Sequence, residues 1–260
     1  MSRRAMTSAH ARSVKLSGHR NETDFASLIG GQVNAGSHTD KKDVIDQQHR
    51  SHSVKAGTWW QVFLYSRDRL RTNTIFQGLG NVAGIMIDCI DAYPQDYNAY
   101  RNNKDAAKKR LQPHMQRLLA ELQKPAIFKA FLDKALFDGG NAEYLSVWLG
   151  PANRPIGEKV FHVFHKDDVV NALAADVELR NSKARHAGQR DDQKVTFYSA
   201  LNHRNIGEIE DRHDSLQHYR EMKFRLNAAG VLNVLTEQYP NSQSARPQVL
   251  THGRAIRLFK

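Results

Sequence analysis

A single cysteine, Cys89, in 260 residues excludes a disulfide framework and fits a reducing, cytoplasmic setting. No stretch approaches the roughly 20 apolar residues that a membrane helix needs. The basic N-terminal segment MSRRAMTSAHARSVKLSGHR has no apolar centre of the kind a signal peptide carries, so no membrane association is expected. Acidic side chains are in short supply: 27 Asp and Glu stand against 38 Lys and Arg, a formal net charge of +11. Such an excess favours a polyanionic partner, most simply nucleic acid. The 13 histidines do not fall at the spacing of a metal finger, and no internal repeat is present.

The length allows one large domain or two small ones with a real core. The simplest partition is a basic flexible arm over 1–18 followed by one domain over 19–260. Within it the sequence suggests a core over about 19–80, helices over 81–138, a strand-rich region over 139–239 and a basic tail over 240–260. A helical run at 24–29 is closed by Gly30-Gly31. Residues 66–80 read as a loop leaving a strand, and GLGNVAG at 78–84 as loop-to-helix packing rather than a phosphate loop. Helical spacing recurs at Val82, Ile85 and Ile90, and at Leu111, Met115, Leu118 and Leu122, where Pro113 suits a first turn. Pro125 opens a further helix, and Lys104, Lys108, Lys109 and Arg110 mark a basic helix face. Strands are expected at 144–149, 159–164, 196–198 and 206–210, a polar basic loop at 180–193, and a final helix near 228–238.

The chemistry concentrates in residues 39–65. Asp43 precedes a short β-prone run, Val44-Ile45; a second run is Ser53-Val54-Lys55, and a third begins at Trp59. Gly57-Thr58 reads as the turn of a hairpin joining the last two. Because strands alternate faces, Ser53 and Lys55 point to one side and Val54 to the other. A carboxylate at one strand end facing a lysine on its neighbour can hold a divalent metal beside a polarised water. Glu22, at the start of the preceding helical run, offers a second carboxylate.

This order of helix-Glu, strand-Asp and strand-x-x-Lys resembles the PD-(D/E)XK nuclease superfamily, particularly its type II restriction endonuclease-like members. The resemblance covers roughly 18–65. It implies an α/β (α+β) fold with a restriction-endonuclease-like core of mixed β-sheet flanked by helices. It assigns Asp43 to the metal, Lys55 to the reacting phosphate, Glu22 to the additional acid on the first helix, and the Val54 carbonyl to a third metal contact, with Mg²⁺ as the ion. Ser53 stands where the pattern has Asp or Glu, and Lys42 where it often has Pro; a hydroxyl is a poorer ligand for a hard cation than a carboxylate. Gln61 and Tyr65 are similar to a Q-x-x-x-Y element on the following strand.

A second constellation lies at 208–220, where Arg212, His213, Asp214, Ser215 and His218 suit base-edge and phosphate contacts. Arg20, Lys41 and Lys42 are further phosphate-contacting candidates beside the site. His162 and His165, three apart on a strand, point to opposite faces and do not share a ligand. His49 and His52 read as polar-loop histidines. The expected activity is endonucleolytic cleavage of double-stranded DNA, with a homodimer as one route to cutting both strands. Two alternatives stay open: a repair or recombination nuclease, and a DNA-binding protein with a decayed centre.

Overall fold

The structure, a computed structural model, describes residues 8–34, 41–72, 74–138, 141–151, 153–213 and 216–259. The fold is α+β, with two sheets and helices around them. The chain divides into two compact units interleaved in sequence. One takes the chain up to Trp60, Leu132–Ala175 and the residues from Asn227 on; the other takes Gln61–Phe131 and Asp176–Leu226. The expected partition into consecutive regions therefore gives way to two insertions.

The first unit holds a seven-stranded sheet. Its strands are β1 (Gln32–Val33), β2 (Val44–Ile45), β3 (Ser51–Ala56), β5 (Tyr144–Trp148), β6 (Phe161–His165), β12 (Val249–His252) and β11 (Ser242–Arg246), in that spatial order. β3 and β5 run parallel, as do β6 and β12; the other neighbours are antiparallel. On β5 and β6 residues pointing to both sides are buried, which marks central strands covered on both faces. Helix α1 (Ser8–Ile29) lays Phe25, Ala26 and Ile29 on Val44, Val54, Phe161, Val163 and Val249, with Ala255 and Leu258 completing the cluster.

Two expectations are corrected here. The arm over 1–18 is helical from Ser8, because its Ala, Arg, Lys and Leu residues are good helix formers and continue into α1. The tail from 240 carries β11 and β12, and Val249, Leu250 and Thr251 register with Phe161, His162 and Val163 inside the sheet. Its polar character belongs to β11, an edge strand, where exposed polar side chains blunt edge-to-edge pairing.

The second unit holds the sheet β4 (Trp59–Ser66), β10 (Glu221–Asn227), β9 (Asn205–Arg212), β8 (Lys194–Ser199) and β7 (Val177–Asn181). β10 buries Met222, Phe224 and Leu226 in strict alternation, a pattern present in the sequence but not assigned there. Phe63, Phe76, Phe131, Phe197 and Phe224 form its aromatic core, with Phe197 and Phe224 stacked at 5.0 Å. The stretch after β4 is helical as α2 (Arg67–Thr72). Further helices of this unit are α3 (Val82–Asp91), α4 (Tyr97–Asn102), α5 (Lys104–Leu122) and the first half of α6 (Pro125–Phe137), whereas α7 (Lys166–Asp176) and α8 (Ala228–Gln238) belong to the first unit. Pro113 sits inside α5 rather than in its first turn, because Asn103 caps a helix start nine residues earlier than expected.

The hairpin expected at Gly57-Thr58 does not form, since β3 and β4 belong to different sheets. The turn itself exists, with Gly57 at φ +84° and open space where a Cβ would sit. Past it, the Thr58 carbonyl accepts from Ala228 N at 3.0 Å and Asn227 Nδ2 at 3.3 Å. The start of α8 thus fixes the point where the chain leaves β3.

One residue of the second unit is out of keeping with its core. Asp211, on β9, is 2 % exposed, and among the described residues neither carboxylate oxygen has a hydrogen-bond partner. Burial pushes its carboxyl well above the usual range, against the pull of Arg220 and with Glu210 and Glu221 adding to the rise. A native-state carboxyl with a raised pKa holds its proton where the unfolded chain has released it. The contribution of Asp211 to stability is therefore greatest below about pH 4 and falls as pH rises toward the folded-state value. Asp211→Asn is expected to stabilise the protein at pH 8 by about 1–3 kcal/mol and to change little at pH 4. Thermal melts of both proteins at the two pH values check this; equal gaps at both would show that Asp211 finds a partner.

Candidate active site

The site is built from one hairpin and one helix of the first unit. In the β2–β3 turn Asp46 accepts from Gln48 N and Arg50 N, both at 2.9 Å, and from Arg50 Nε at 2.7 Å. His49 takes a left-handed conformation, φ +62°. Burial alone would raise the Asp46 carboxyl, yet the neighbouring His52 and the hydrogen bonds and charge of Arg50 hold it well below the usual range. This turn sets the register Val44↔His52 and Ile45↔Ser51. One step further along, Asp43 falls opposite Ser53 on the other face of the sheet from Val44, with Lys55 two residues on.

Asp43 Oδ2 accepts from Val54 N at 2.7 Å, Lys55 Nζ at 3.0 Å and Ser53 Oγ at 3.4 Å. Lys55 Nζ also donates to the Val54 carbonyl at 3.2 Å. Both charged groups keep contact with solvent, at 18 % exposure for Asp43 and 22 % for Lys55. Glu22 reaches this neighbourhood from α1 and is held by His19 Nδ1 at 3.1 Å. Burial raises the Glu22 carboxyl, the negative charge of Asp43 raises it further, and His19 and Lys55 oppose the rise. Asp43, Ser53, Val54 and Lys55 are thus gathered in one place, and Glu22 stands near enough to feel the charges of Asp43 and Lys55.

The other candidates belong to other elements or to the flanks of these. Gln61 and Tyr65 are on β4, in the five-stranded sheet; Tyr65 is buried, stacked on Phe63 at 4.7 Å, while Gln61 is exposed. Arg20 is an exposed residue of α1, and Lys41 and Lys42 lead into β2, with the Lys42 carbonyl accepting from Asn34 Nδ2 at 2.9 Å. In the second unit Arg212 closes a loop by accepting from Arg220 N at 2.9 Å. His213 lies 3.2 Å from Tyr93 Oη and stacks on its ring at 5.2 Å, which makes it part of a tyrosine cluster with Tyr100 and Tyr219. His218 pairs with Glu221 at 3.1 Å and stays solvent-facing. Asp214 and Ser215 lie outside the described residues.

Three features escaped the sequence reading. His52 is not in a polar loop but fully buried in β3, packed against Phe25, Tyr144 and Phe259. Its Nδ1 meets Ser146 Oγ at 3.2 Å, but both residues are sealed from solvent, so the array with Asp46 is structural. Lys159, also fully buried, donates to Asn21 Oδ1 at 2.9 Å and to Asp24, both on α1. His162 Nδ1 lies 3.0 Å from His252 Nε2, and His252 Nδ1 lies 3.2 Å from the Tyr239 carbonyl. A carbonyl only accepts, so His252 donates to it through Nδ1 and receives the His162 proton on Nε2. Burial and the neighbouring ring bring the His162 pKa down to about 4, which leaves the pair neutral at neutral pH. All three depend on partners 90 or more residues apart, which no local pattern displays.

Among the described residues no group of three or more His, Cys, Asp or Glu side chains is placed to hold a metal ion. Two carboxylates and a backbone carbonyl are nevertheless a hard oxygen set, and Mg²⁺ is commonly held by one or two carboxylates while keeping several waters. The charge of Asp43 adds to burial in raising the Glu22 carboxyl, and a divalent cation beside it would oppose that rise. Among the described residues no helix is long and apolar enough to cross a membrane. No protein-family model matches the chain, and no curated protein matches its sequence.

Proposed function

We propose that this protein is a magnesium-dependent endodeoxyribonuclease of the PD-(D/E)XK kind, acting on double-stranded DNA in the cytoplasm, most simply as a type II restriction enzyme. The observation that carries the reading is Lys55 Nζ at 3.0 Å from the Asp43 carboxylate, at the start of a hairpin that α1 flanks with Glu22. Glu22, Asp43 and the Val54 carbonyl are the groups that would hold the ion. Bound Mg²⁺ supplies Lewis-acid stabilisation of the phosphate and a water of lowered pKa. Lys55 offers its ammonium to the charge that builds on the phosphate oxygens during attack. Ser53, fully buried and donating to Asp43, orients that carboxylate rather than reacting. The net charge of +11 supports a polyanionic substrate.

A second reading, a DNA-binding protein that no longer cuts, is favoured by the crowding of Asp43 Oδ2 under three protein donors and by Ser53 in place of an acid. Incubating the protein with phage DNA and Mg²⁺, then resolving the products on a gel, separates the two. Discrete fragments are expected from a restriction enzyme and irregular nicking from a repair nuclease. Intact DNA across a range of Mg²⁺ concentrations, with binding retained, would leave only the second reading.

A further inference from the structure

We propose that Arg67 and Arg220 form a clamp for a phosphate group, in a cavity of the second unit that uses none of the residues assigned to cleavage. The cavity measures about 620 Å³. Its lining includes Arg67 and Asp68 of α2, Asp91 at the end of α3, Tyr93 and Pro94 just beyond it, and Arg220 in front of β10. Arg67 Nε donates to Asp91 Oδ1 and Oδ2, both at 2.9 Å, and Arg220 Nη2 donates to Asp91 Oδ1 at 2.6 Å. Two guanidinium groups thus meet at one carboxylate oxygen, and a single carboxylate neutralises only one of them.

The donors left over point to a second anion. Both Nη groups of Arg67 and Nη1 of Arg220 donate to none of the described residues. Asp91 holds the two planes together from one side and leaves these N–H groups for a ligand. Planar forks of this kind match phosphate oxygens in pairs. Asp68 is the other carboxylate of the lining. It is exposed to water, and Arg71, also exposed and on the same face of α2 as Arg67, offsets its charge. Arg220 is set in place before any ligand arrives. Its backbone is left-handed, φ +61°, a conformation uncommon in residues other than glycine. Arg220 N donates to the Arg212 carbonyl at 2.9 Å and Nε to the Ile90 carbonyl at 3.2 Å. Tyr219 Oη donates to the Pro94 carbonyl at 2.7 Å. The turn before β10 is thereby fastened to the end of α3, and donors ordered in advance lose less freedom on binding. On a chain of net charge +11 the plainest source of the phosphate is DNA, in its backbone or at a strand end. That source rests on the nucleic-acid part of the reading above, whereas the clamp rests on the arginines.

The test uses the full chain without Mg²⁺ and three probes: inorganic phosphate, a duplex with 5′-hydroxyl ends, and the same duplex 5′-phosphorylated. The variants are Arg67→Gln, Arg220→Asn, whose asparagine tolerates the left-handed backbone, and Arg220→Lys, which keeps the charge but loses the fork. The Arg67–Asp91 bridge is about a third exposed on both sides, so Arg67→Gln is expected to melt near the wild type and decides alone if Arg220→Asn misfolds. All three variants are expected to bind the phosphate-bearing probe at least about 10-fold more weakly. Where that probe is DNA, duplexes of unrelated sequence weaken alike, and the slope of log K against log salt falls by about 1. Equal loss on both duplexes identifies a backbone phosphate, and loss confined to the phosphorylated one a strand end. Loss on inorganic phosphate alone identifies a small free phosphate. Wild-type affinity for all three probes in Arg67→Gln overturns the proposal, as does a wild type that binds none of them. Arg220→Lys at wild-type affinity overturns it too, because charge without a fork would then suffice. Weakened binding by the variants of a protein that never cuts DNA supports the clamp and removes the nuclease reading alone.

Discussion

Lys55→Ala is expected to lower Mg²⁺-dependent DNA cleavage by at least about 100-fold while leaving the thermal midpoint nearly unchanged. The two effects separate because the ammonium group is partly exposed and its bridge to Asp43 is shared with solvent, an arrangement that contributes little to stability. At the reacting phosphate the same charge acts where negative charge accumulates, and its loss is felt in the rate. Asp43→Asn and Glu22→Gln are expected to fall together with it, since each removes one unit of charge from the same donor set. Asn at 43 still presents an oxygen to Val54 N, so the hairpin should survive the change. Ser53→Ala is expected to be mild, because the Ser53 bond to Asp43 is the longest of the three at 3.4 Å. The measurement is initial cleavage rate against Mg²⁺ concentration for the four variants, beside their melting curves. Full activity in Glu22→Gln would take the helix out of the site, and full activity in Lys55→Ala would take the site out of the protein.

Lys159→Ala is expected to produce the largest loss of stability, about 3 kcal/mol. Lys159 is entirely buried, and its ammonium group is neutralised by Asp24 and bonded to Asn21 on the same face of α1. Removing it leaves the Asp24 carboxylate, 19 % exposed, without its counter-charge beside an apolar core. Breaking a fully buried pair costs about 3–5 kcal/mol, and the partial exposure of Asp24 places this one near the lower end. Replacing both partners, as in Lys159→Met with Asp24→Leu, is expected to recover most of the loss, because the desolvation of two charges disappears with them. Since α1 also carries Glu22, the single variant is expected to lose activity together with stability, and the double variant to regain both. Denaturant unfolding of the single and double variants gives the comparison. An unchanged midpoint in Lys159→Ala would show that the apolar contacts of Phe25 and Ile29 alone hold α1 in place.

What the sequence by itself determined about this protein is what depends on neighbours in the chain. The apolar spacing of Leu111, Met115, Leu118 and Leu122 made α5 legible, and Pro125 marked the start of α6, because a helix closes its hydrogen bonds within one turn. The runs at 144–148, 161–165 and 205–212 were legible as strands for the same local reason, an apolar and β-branched pattern bounded by turns. The meeting of Asp43 with Ser53 and Lys55 was legible too, since only a short turn separates them and the period of two fixes which side chains share a face. Partner choice between distant strands was not. Backbone ladders are chemically alike, so only the burial of whole faces decides that β3 lies beside β5, that β12 slots in next to β6, and that β4 turns away into another sheet. A Gly-Thr turn that suits a hairpin is equally good at handing the chain to a second sheet. The polar 242–246 and the sparse apolar residues after it gave no local sign of a core strand, because Val249 gains its burial from residues remote in the chain, among them Phe25 of α1 and Phe161, 88 residues earlier (249 − 161 = 88). For the same reason the Lys159–Asp24 pair and the His162–His252 pair were decided by tertiary structure alone: each polar group is tolerated inside only because a residue remote in sequence supplies the charge or the lone pair that water would otherwise provide.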